Sequence, residues 1–288
     1  MFTDQLTVNQ ARDISLECLR TQRIAEAECY SNAVLGKFPN DSVANFVHGM
    51  VALHYGHFGY SITLFKNALR ANPQCAEASQ ALDDAISKVS AFMPEGICVL
   101  GDSHTGVFRP IQDATVIWVG PVTMYRVGRE GAAFLNYKDF GVSGKNAVVS
   151  VFGEIDIRAH FMKRSDGSAR SIADNADKIV GRYLRTLLEN SKNSHVRQTI
   201  IASVVPPYRE GAEVNHESVG TISERVAATV AVNDRLRFGS QLLGFGFLDL
   251  YTNFVDDAGT LAKEFTEDGI HIHPRNALVV AQELRKIL

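Results

Sequence analysis

The sequence contains no apolar run that could cross a membrane. Its strongest apolar stretches, AVVSVFG and TIIASVV, are seven residues long, whereas a membrane-spanning helix needs about 20 residues. The amino terminus, MFTDQLTVNQARDISLECLR, also lacks the apolar segment and the small-residue cleavage site of a secretory signal. We therefore expect a cytoplasmic protein without a membrane partner.

Residue spacings that would indicate a disulfide framework or a metal site are absent as well. The four cysteines, Cys18, Cys29, Cys75 and Cys98, form no CxxC pair and no zinc-ligand spacing, so we expect reduced packing residues. The sequence contains neither the glycine fingerprint of a nicotinamide site nor a P-loop. We therefore predict that the protein uses no cofactor and holds no metal.

An excess of charge of one sign is also missing. The 29 lysine and arginine residues nearly balance the 32 aspartate and glutamate residues, which leaves a net charge of −3. Because this balance supplies no overall basic field, we expect no nucleic-acid partner. With 288 residues, of which 45% are apolar and 21% charged, the chain has an ordinary globular composition. Its length suggests two domains.

The residues from about Val8 to Val89 show a helical pattern throughout. Apolar and alanine residues recur at intervals of three and four, and prolines fall only between the helix-like segments. Pro39 and Pro73 stand 34 residues apart, which is the length of a tetratricopeptide repeat. The second unit also resembles the tetratricopeptide consensus at Gly49, Phe65, Ala68 and Pro73. We predict a tetratricopeptide-like helical domain over residues 1–92 that binds a protein partner; a plain helical bundle is the alternative.

From Gly96 onward, short β-branched runs alternate with helical stretches, a pattern typical of an α/β domain. The runs are apolar without alternation, as expected for strands buried on both faces. Because parallel strands need crossover connections, we predict a flavodoxin-like, doubly wound parallel sheet of five strands over residues 96–288. The junction with the helical domain falls near Met93 to Gly96. The predicted strands are 97–100, 115–119, 147–152, 200–205 and 245–250, and the predicted helices are 168–190, 221–243 and 274–288.

Residues suited to acyl transfer follow the first predicted strand and precede the last predicted helix. The segment GDSHTG places Ser103 where the first strand ends, and FTEDGIHIHP contains Asp268 and His271. A histidine can remove the serine proton, and a carboxylate can fix the histidine tautomer. With a turn at Gly269, Asp268 can reach one ring nitrogen of His271 while the other nitrogen faces Ser103.

These two segments resemble the first and last blocks of the SGNH (GDSL-type) hydrolase superfamily, Gly-Asp-Ser and Asp-x-x-His, over residues 96–288. The resemblance implies Ser103 as the nucleophile, His271 as the general base and Asp268 as the residue that orients the base. It also implies that the N–H of Ser103 donates to the oxyanion. The implied activity is serine-dependent hydrolysis of an ester, such as an O-acetyl group on a carbohydrate or another polar small molecule. Transfer of the acyl group to another hydroxyl is the variant that the same triad serves.

The third block of that superfamily, Gly-x-Asn-Asp, is altered in this sequence. FGEIDIRAH supplies Gly153, Glu154, Ile155 and Asp156 at this position. Ile155 cannot donate a hydrogen bond to the oxyanion, and one lost donor costs about 2.7–4 kcal/mol in the barrier. We expect Arg158 or His160 to replace it. Alternatively, Glu154, Asp156 and Arg158 share one face of an extended loop and form an ion-paired brace.

The second block contributes a glycine N–H after the second strand. The segment VIWVGPVTMYRVGREG offers Gly120, Gly128 and Gly131. We predict Gly120 as the donor, because it ends the predicted strand. The later phrase DFGVSGKN lies so close to the third strand that we interpret it as a turn.

His104 has two interpretations. It is either a polar residue that supports the nucleophile turn and its substrate, or a ligand in a metal-dependent phosphoesterase. For the second, Asp102 and His104 approximate an Asp-x-His opening, which His271 and His273 could complete. The further Gly-Asp and Gly-Asn-His segments that a two-metal site needs are absent from the sequence. A third hypothesis is a non-catalytic adaptor with a degenerate hydrolase domain, because Ile155 has replaced the oxyanion donor.

Overall fold

The structure is a computed structural model that describes residues 6–91, 96–144, 146–208 and 217–288. The chain forms two compact units. The first comprises the described part of Met1–Phe92 with Trp118–Gly120 and Asp139–Gly141, and the second comprises the remaining described residues. Of the predicted junction, residues 93–95 lie outside the described ranges.

The first unit is helical, as the sequence predicts. Alternate helices begin 34 residues apart, at Val8, Ser42 and Ala76, so the period inferred from the prolines is also the period of the helices. The tetratricopeptide assignment and its protein partner stay predictions. The helices of the described residues are α1 (Val8–Arg20), α2 (Ile24–Lys37), α3 (Ser42–His54), α4 (Phe58–Ala71) and α5 (Ala76–Ala91).

A close approach between α3 and α4 explains one glycine of the helical unit. A Cβ placed on Gly49 would lie 2.5 Å from the ring of Phe65. The side chains of Phe65 and Ala68 are fully buried. The small residue at position 49 therefore lets the two helices pack at the point where the repeat pattern expects contact.

The second unit is built on a five-stranded parallel sheet with the strand order β2-β1-β3-β4-β5. This is the order of a flavodoxin-like, doubly wound sheet, so the predicted fold class is confirmed. The strand bounds differ from the predicted ones by one to three residues, because strand ends are set by partners that the local pattern does not show. The strands are β1 (Gly96–Gly101), β2 (Ala114–Trp118), β3 (Asn146–Val151), β4 (Gln198–Ala202) and β5 (Gly246–Leu248).

Helices flank this sheet, and three of them occupy the predicted segments. These are α7 (Ala169–Ser194), α8 (Ile222–Leu243) and α10 (Ala277–Arg285). Two shorter helices, α6 (Met124–Glu130) and α9 (Leu250–Phe254), were not predicted. None of the helices in the described ranges combines the length and the apolar character that a bilayer-spanning segment needs.

Helix α6 was missed because it is only two turns long and contains a glycine. Gly128 faces α7, and a Cβ there would lie 2.8 Å from both the Arg182 Cβ and the Tyr183 backbone nitrogen. Glycine weakens a helix locally but allows this close packing against α7. In the phrase DFGVSGKN, which we predict to be a turn, Gly141 follows a 3-10 turn, Tyr137–Phe140, and has φ +70°, while residue 145 lies outside the described ranges.

The interior of the second unit is apolar and continuous from the sheet to the carboxyl-terminal helix. The strand residues Val99, Val149 and Ile200 are fully buried. They belong to one cluster with Val280 and Leu284 of α10. This core fixes the carboxyl ends of β1, β3 and β4 side by side, and the chemically active side chains emerge there.

Candidate active site

Ser103 stands at the sharp turn that follows β1. A Cβ on Gly101 would lie 2.1 Å from the Val151 carbonyl oxygen, so only glycine fits where β1 leaves the sheet beside β3. The chain then enters a 3-10 turn, Ser103–Phe108. The carboxylate of Asp102 caps this turn by accepting a hydrogen bond from the His104 N–H at 2.9 Å. The Ser103 hydroxyl is thereby presented at the carboxyl edge of the sheet.

The structure brings Ser103, His271 and Asp268 into one hydrogen-bonded chain. The Ser103 Oγ lies 2.8 Å from His271 Nε2. On the other side of the ring, His271 Nδ1 lies 2.6 Å from Asp268 Oδ2. With the proton on Nδ1, the ring donates to Asp268 and accepts from the serine hydroxyl. Such a chain is able to supply a nucleophile, a general base and an orienting carboxylate, and these roles stay predictions for the three residues.

The loop between Asp268 and His271 is held by the same carboxylate. Asp268 Oδ1 accepts hydrogen bonds from the backbone N–H groups of Ile270, at 2.9 Å, and His271, at 2.8 Å. Gly269 supports the turn with φ +81°, in the left-handed region that favours glycine. The spacing Asp-Gly-x-His thus lets one carboxylate fix both the backbone and the imidazole.

The electrostatics of this chain favour a charged carboxylate and a neutral imidazole. Burial raises the pKa of Asp268, but the hydrogen bonds and positive charge of His271 outweigh it, so the net pKa is lowered. The pKa of His271 is lowered, first by burial and next by the charge of His104. His271 can therefore accept a proton at neutral pH.

Directly behind these three residues lies a group of titratable side chains: Asp102, His104 and Glu154, which are buried, and Arg158, which is 12% exposed. The His104 ring packs on the His271 ring with centroids 4.7 Å apart and planes tilted by 35°. His104 Nε2 lies 3.6 Å from Glu154 Oε2, which is an ion-pair distance and longer than a hydrogen bond. Glu154 Oε1 accepts a hydrogen bond from Arg158 Nε at 2.7 Å. We call these four residues the buried charge group.

Glu154 and Arg158 thus form the ion pair that the alternative interpretation expected, but the segment is not extended. Asp156–Phe161 forms a single turn of π-helix, so positions 154 and 158 lie one turn apart. The guanidinium of Arg158 also donates to the Glu217 carbonyl oxygen at 2.8 Å. Within the described ranges, neither Arg158 nor His160 makes a hydrogen bond or ion pair to the triad. Either residue as oxyanion donor stays a prediction, as does a donor that replaces Ile155.

Asp156 does not join this ion pair. Its carboxylate accepts hydrogen bonds from the N–H groups of Met124, at 2.6 Å, and Tyr125, at 3.0 Å, at the start of α6. Burial nevertheless raises its pKa to about 7. Gly153 precedes this segment with φ +121°, and a Cβ there would lie 2.5 Å from the Val204 side chain. The altered third block therefore keeps a glycine turn and a capping carboxylate.

Gly120 lies two residues after β2, in a segment that belongs to the first unit. Its φ is +91°, and a Cβ there would lie 2.2 Å from the Tyr60 ring. Backbone conformation and packing against Tyr60 therefore both require glycine. The role of Gly120 as an oxyanion donor stays a prediction.

Two polar residues that were not predicted from the sequence support this edge of the sheet. The Ser203 hydroxyl accepts hydrogen bonds from the N–H groups of Leu250 and Tyr251, both at 2.9 Å. The Asn233 side chain bonds both backbone groups of Val204, at 2.7 and 2.9 Å. Their partners are distant in the sequence, so the only available signal was the position of Ser203 directly after β4, and Asn233 within α8 had none.

The histidines invoked for a metal site lie in different surroundings. His104 is buried, whereas His273 lies 3.3 Å from Glu267 and accepts a hydrogen bond from the Arg275 N–H at the start of the last helical segment. In the described ranges, no group of three or more histidine, cysteine, aspartate or glutamate residues is arranged to hold a metal ion.

The sequence matches no protein-family model, and no curated protein was found that resembles it. Solved structures do resemble it. A protein from Streptococcus pneumonia, provisionally described as a platelet activating factor, is 13% identical with a TM-score of 0.50 over 73% of this chain and 98% of that one. This likeness shows the fold.

Two further structures have lower TM-scores. A GDSL-like lipase from Bacteroides thetaiotaomicron is 17% identical, with a TM-score of 0.47 over 72% of this chain and 98% of that one. An acetyl xylan esterase is 15% identical, with a TM-score of 0.44 over 66% of this chain and 98% of that one.

Proposed function

We propose that the protein is a serine-dependent ester hydrolase or acyltransferase of the SGNH type. The observation that carries this proposal is the hydrogen-bonded chain from Ser103 through His271 to Asp268 at the carboxyl edge of the sheet. The resemblance of the Gly-Asp-Ser and Asp-x-x-His segments to that superfamily, and the doubly wound fold, support it. The substrate that we expect is a small acyl ester, such as an O-acetyl group on a carbohydrate or another polar molecule.

In the first half-reaction, the Ser103 Oγ attacks the ester carbonyl carbon while its proton passes to His271 Nε2. Asp268 stabilises the resulting imidazolium and holds the ring in place. The carbonyl oxygen becomes an oxyanion, for which the Ser103 N–H is the donor that we expect. Collapse of the tetrahedral intermediate breaks the carbon–oxygen ester bond, and His271 returns the proton to the leaving alkoxide.

In the second half-reaction, water or another hydroxyl attacks the acylated Ser103. His271 removes the proton of the attacking oxygen, and collapse returns the proton to Ser103. Water gives hydrolysis and another hydroxyl gives transfer, because both acceptors use the same base. The choice depends on which acceptor can approach the exposed side of the triad.

A fluorophosphonate tests the proposal without knowledge of the natural substrate. We expect one covalent adduct, mapped by mass spectrometry to Ser103, that forms at the same rate with and without a chelator. The Ser103→Ala variant should be inert and keep the circular dichroism spectrum of the parent. No adduct on the folded protein would favour the adaptor hypothesis, and phosphoesterase activity that needs an added divalent ion would favour the metal-dependent alternative.

A further inference from the structure

The strongest unexplained feature of the molecule is the imidazole behind the candidate base. The side chain of His104 is 4% exposed, and its ring packs against the ring of His271 with the two planes tilted by 35°. In the described part of the chain, neither ring nitrogen of His104 has a hydrogen-bond partner. Most buried polar atoms have a hydrogen-bond partner, so this ring calls for an explanation from its surroundings. This one is placed between a carboxylate and another imidazole.

The charges around His104 balance only if its imidazole carries a positive charge. Asp102 precedes it at the end of β1, Glu154 faces it from the loop after β3, and both carboxylates are buried. Arg158 is the permanent cation of this group, and it is committed to Glu154 at 2.7 Å. His271 faces the other side of the ring, with Asp268 beyond it. Above the raised pKa of Asp102, which burial moves to about 6, two buried anions against one permanent cation leave one negative charge to be neutralised.

We propose that His104 is a positively charged positioning residue, which holds the ring of His271 from behind and keeps that base neutral. This inference rests on the proposed function, because it assigns His104 a part in preparing the base for Ser103. His104 does not touch the substrate in this arrangement and transfers no proton in either half-reaction. It acts through the ring that it contacts.

The titration behaviour of the site agrees with this arrangement. Burial alone lowers the pKa of His104, but the neighbouring Glu154 and Asp102 carboxylates outweigh it, so the net pKa is raised. Burial also works against the charged form of Glu154, yet His104 and Arg158 lower its pKa to about 2. The pKa of His271 is lowered by burial and by His104. The proton therefore resides on His104 at a pH where His271 has already lost its own.

This arrangement predicts where activity is lost in acid. The reaction with a fluorophosphonate requires neutral His271, so its rate falls as the pH drops through the pKa of His271. Burial first, and the cation at position 104 next, keep that pKa below the ordinary histidine value of 6.5. Removing the cation should therefore move the acid limb of the rate profile to higher pH.

The decisive variant is His104→Phe, which keeps an aromatic ring against His271 but cannot carry a charge. Its rate of inactivation by a fluorophosphonate would be measured from pH 4.5 to 9 beside the parent. His104→Gln serves as a second variant should the phenylalanine not fold. The matched control is His273→Asn, which removes an imidazole two residues from the base and keeps an acceptor for the Arg275 N–H.

A second readout needs no variant at position 104. In the Ser103→Ala protein, the histidine ring signals followed by nuclear magnetic resonance should show that His104 keeps its proton to a higher pH than His271. An acid limb raised in both His104 variants and unchanged in His273→Asn supports the inference. An unmoved acid limb, or a neutral His104 where His271 is still protonated, overturns it. If the parent itself forms no Ser103 adduct, the proposed function fails, and the resonance order still decides which ring holds the proton.

Discussion

The two halves of the candidate site place the same chemical groups in opposite surroundings. In the exposed half, the side chain of Asp268 is 56% exposed and that of His271 is 32% exposed. In the buried half, the corresponding values are 8% for Glu154 and 4% for His104. Both halves pair a carboxylate with an imidazole. The difference shows that an exposed pair can change its protonation during a reaction. The loss of a charge from a buried pair instead lowers the stability of the fold.

Water can reach the exposed pair, so its charges are screened and its contribution to folding is small. The short hydrogen bonds of this half instead fix the direction of the His271 ring. In the buried half, each charge that loses its partner stays in a medium of low polarity, where it is costly. We therefore expect substitutions in the exposed half to act on the reaction, and those in the buried half to act first on stability.

The largest effect that we expect is a loss of activity without a loss of stability, caused by a substitution in the exposed half. Asp268→Asn should lower the turnover or the rate of Ser103 labelling by roughly 10⁴-fold. The amide places an N–H opposite His271 Nδ1, and this favours the tautomer that cannot accept the serine proton. The urea midpoint should change little, because the side chain is exposed. Labelling kinetics and urea unfolding of the same sample measure both quantities.

Glu267→Gln is the matched control for that substitution. Glu267 is a carboxylate in the same loop, 63% exposed, and it lies 3.3 Å from His273 rather than from the base. We expect labelling at the rate of the parent. A loss of less than tenfold in Asp268→Asn would show that the orienting carboxylate is dispensable, and the division between the two halves would lose its basis.

The second expected effect is a loss of stability when an ion pair of the buried half is removed. Glu154→Gln leaves Arg158 with an acceptor oxygen but removes the negative charge that both Arg158 and His104 face. We expect the free energy of unfolding to fall by about 3 kcal/mol, as when one partner of a buried ion pair is lost. Urea unfolding at pH 7, followed by circular dichroism, would measure it.

An exposed carboxylate on the same side of the molecule provides the comparison. The side chain of Glu217 is 66% exposed and contacts Lys163 at 2.6 Å, while its carbonyl oxygen accepts from Arg158. Glu217→Gln keeps that carbonyl, so its urea midpoint should equal that of the parent. Equal effects of the two substitutions would mean that burial does not distinguish the pairs.

The same contrast explains how much of the site could be predicted from the sequence. Ser103, Asp268 and His271 lie in short segments whose spacing and place beside a strand or helix carry the geometry. The five strands followed from short continuous apolar runs, and the long helices followed from apolar periodicity. What local patterns could not show is the set of contacts between distant segments.

Three particular errors illustrate this limit. The segment after β3 is helical rather than extended, because Asp156 is drawn to the N–H groups of Met124 and Tyr125, 32 and 31 residues away. The same contacts stabilise the start of the short helix α6, which no periodic pattern in the sequence predicts. The side chain of Asn233 accepts a hydrogen bond from the Val204 N–H, which is 29 residues away in the sequence. Each arises from tertiary contacts that override local preference.

The smallest expected effect is a pH dependence of the free energy of unfolding that comes from the buried half. Burial raises the pKa of Asp102 from its ordinary value of 3.8 to about 6, so the folded chain binds this proton more tightly than the unfolded chain. The contribution is fully present below about pH 4 and is lost as the pH rises through about 6, so the free energy of unfolding falls across this window. Asp102→Asn removes the titration and keeps an oxygen to accept the His104 N–H.

Between pH 4.5 and 6.5, the parent should therefore lose roughly 2 kcal/mol of stability relative to Asp102→Asn. Titratable groups remote from Asp102 are shared by both proteins and cancel in this difference. Urea unfolding at half-unit pH steps measures it. Parallel stability curves for the two proteins would mean that Asp102 keeps an ordinary pKa despite its burial. An exposed carboxylate cannot produce such a slope through burial, so a difference with this sign would locate the pH dependence in the buried half.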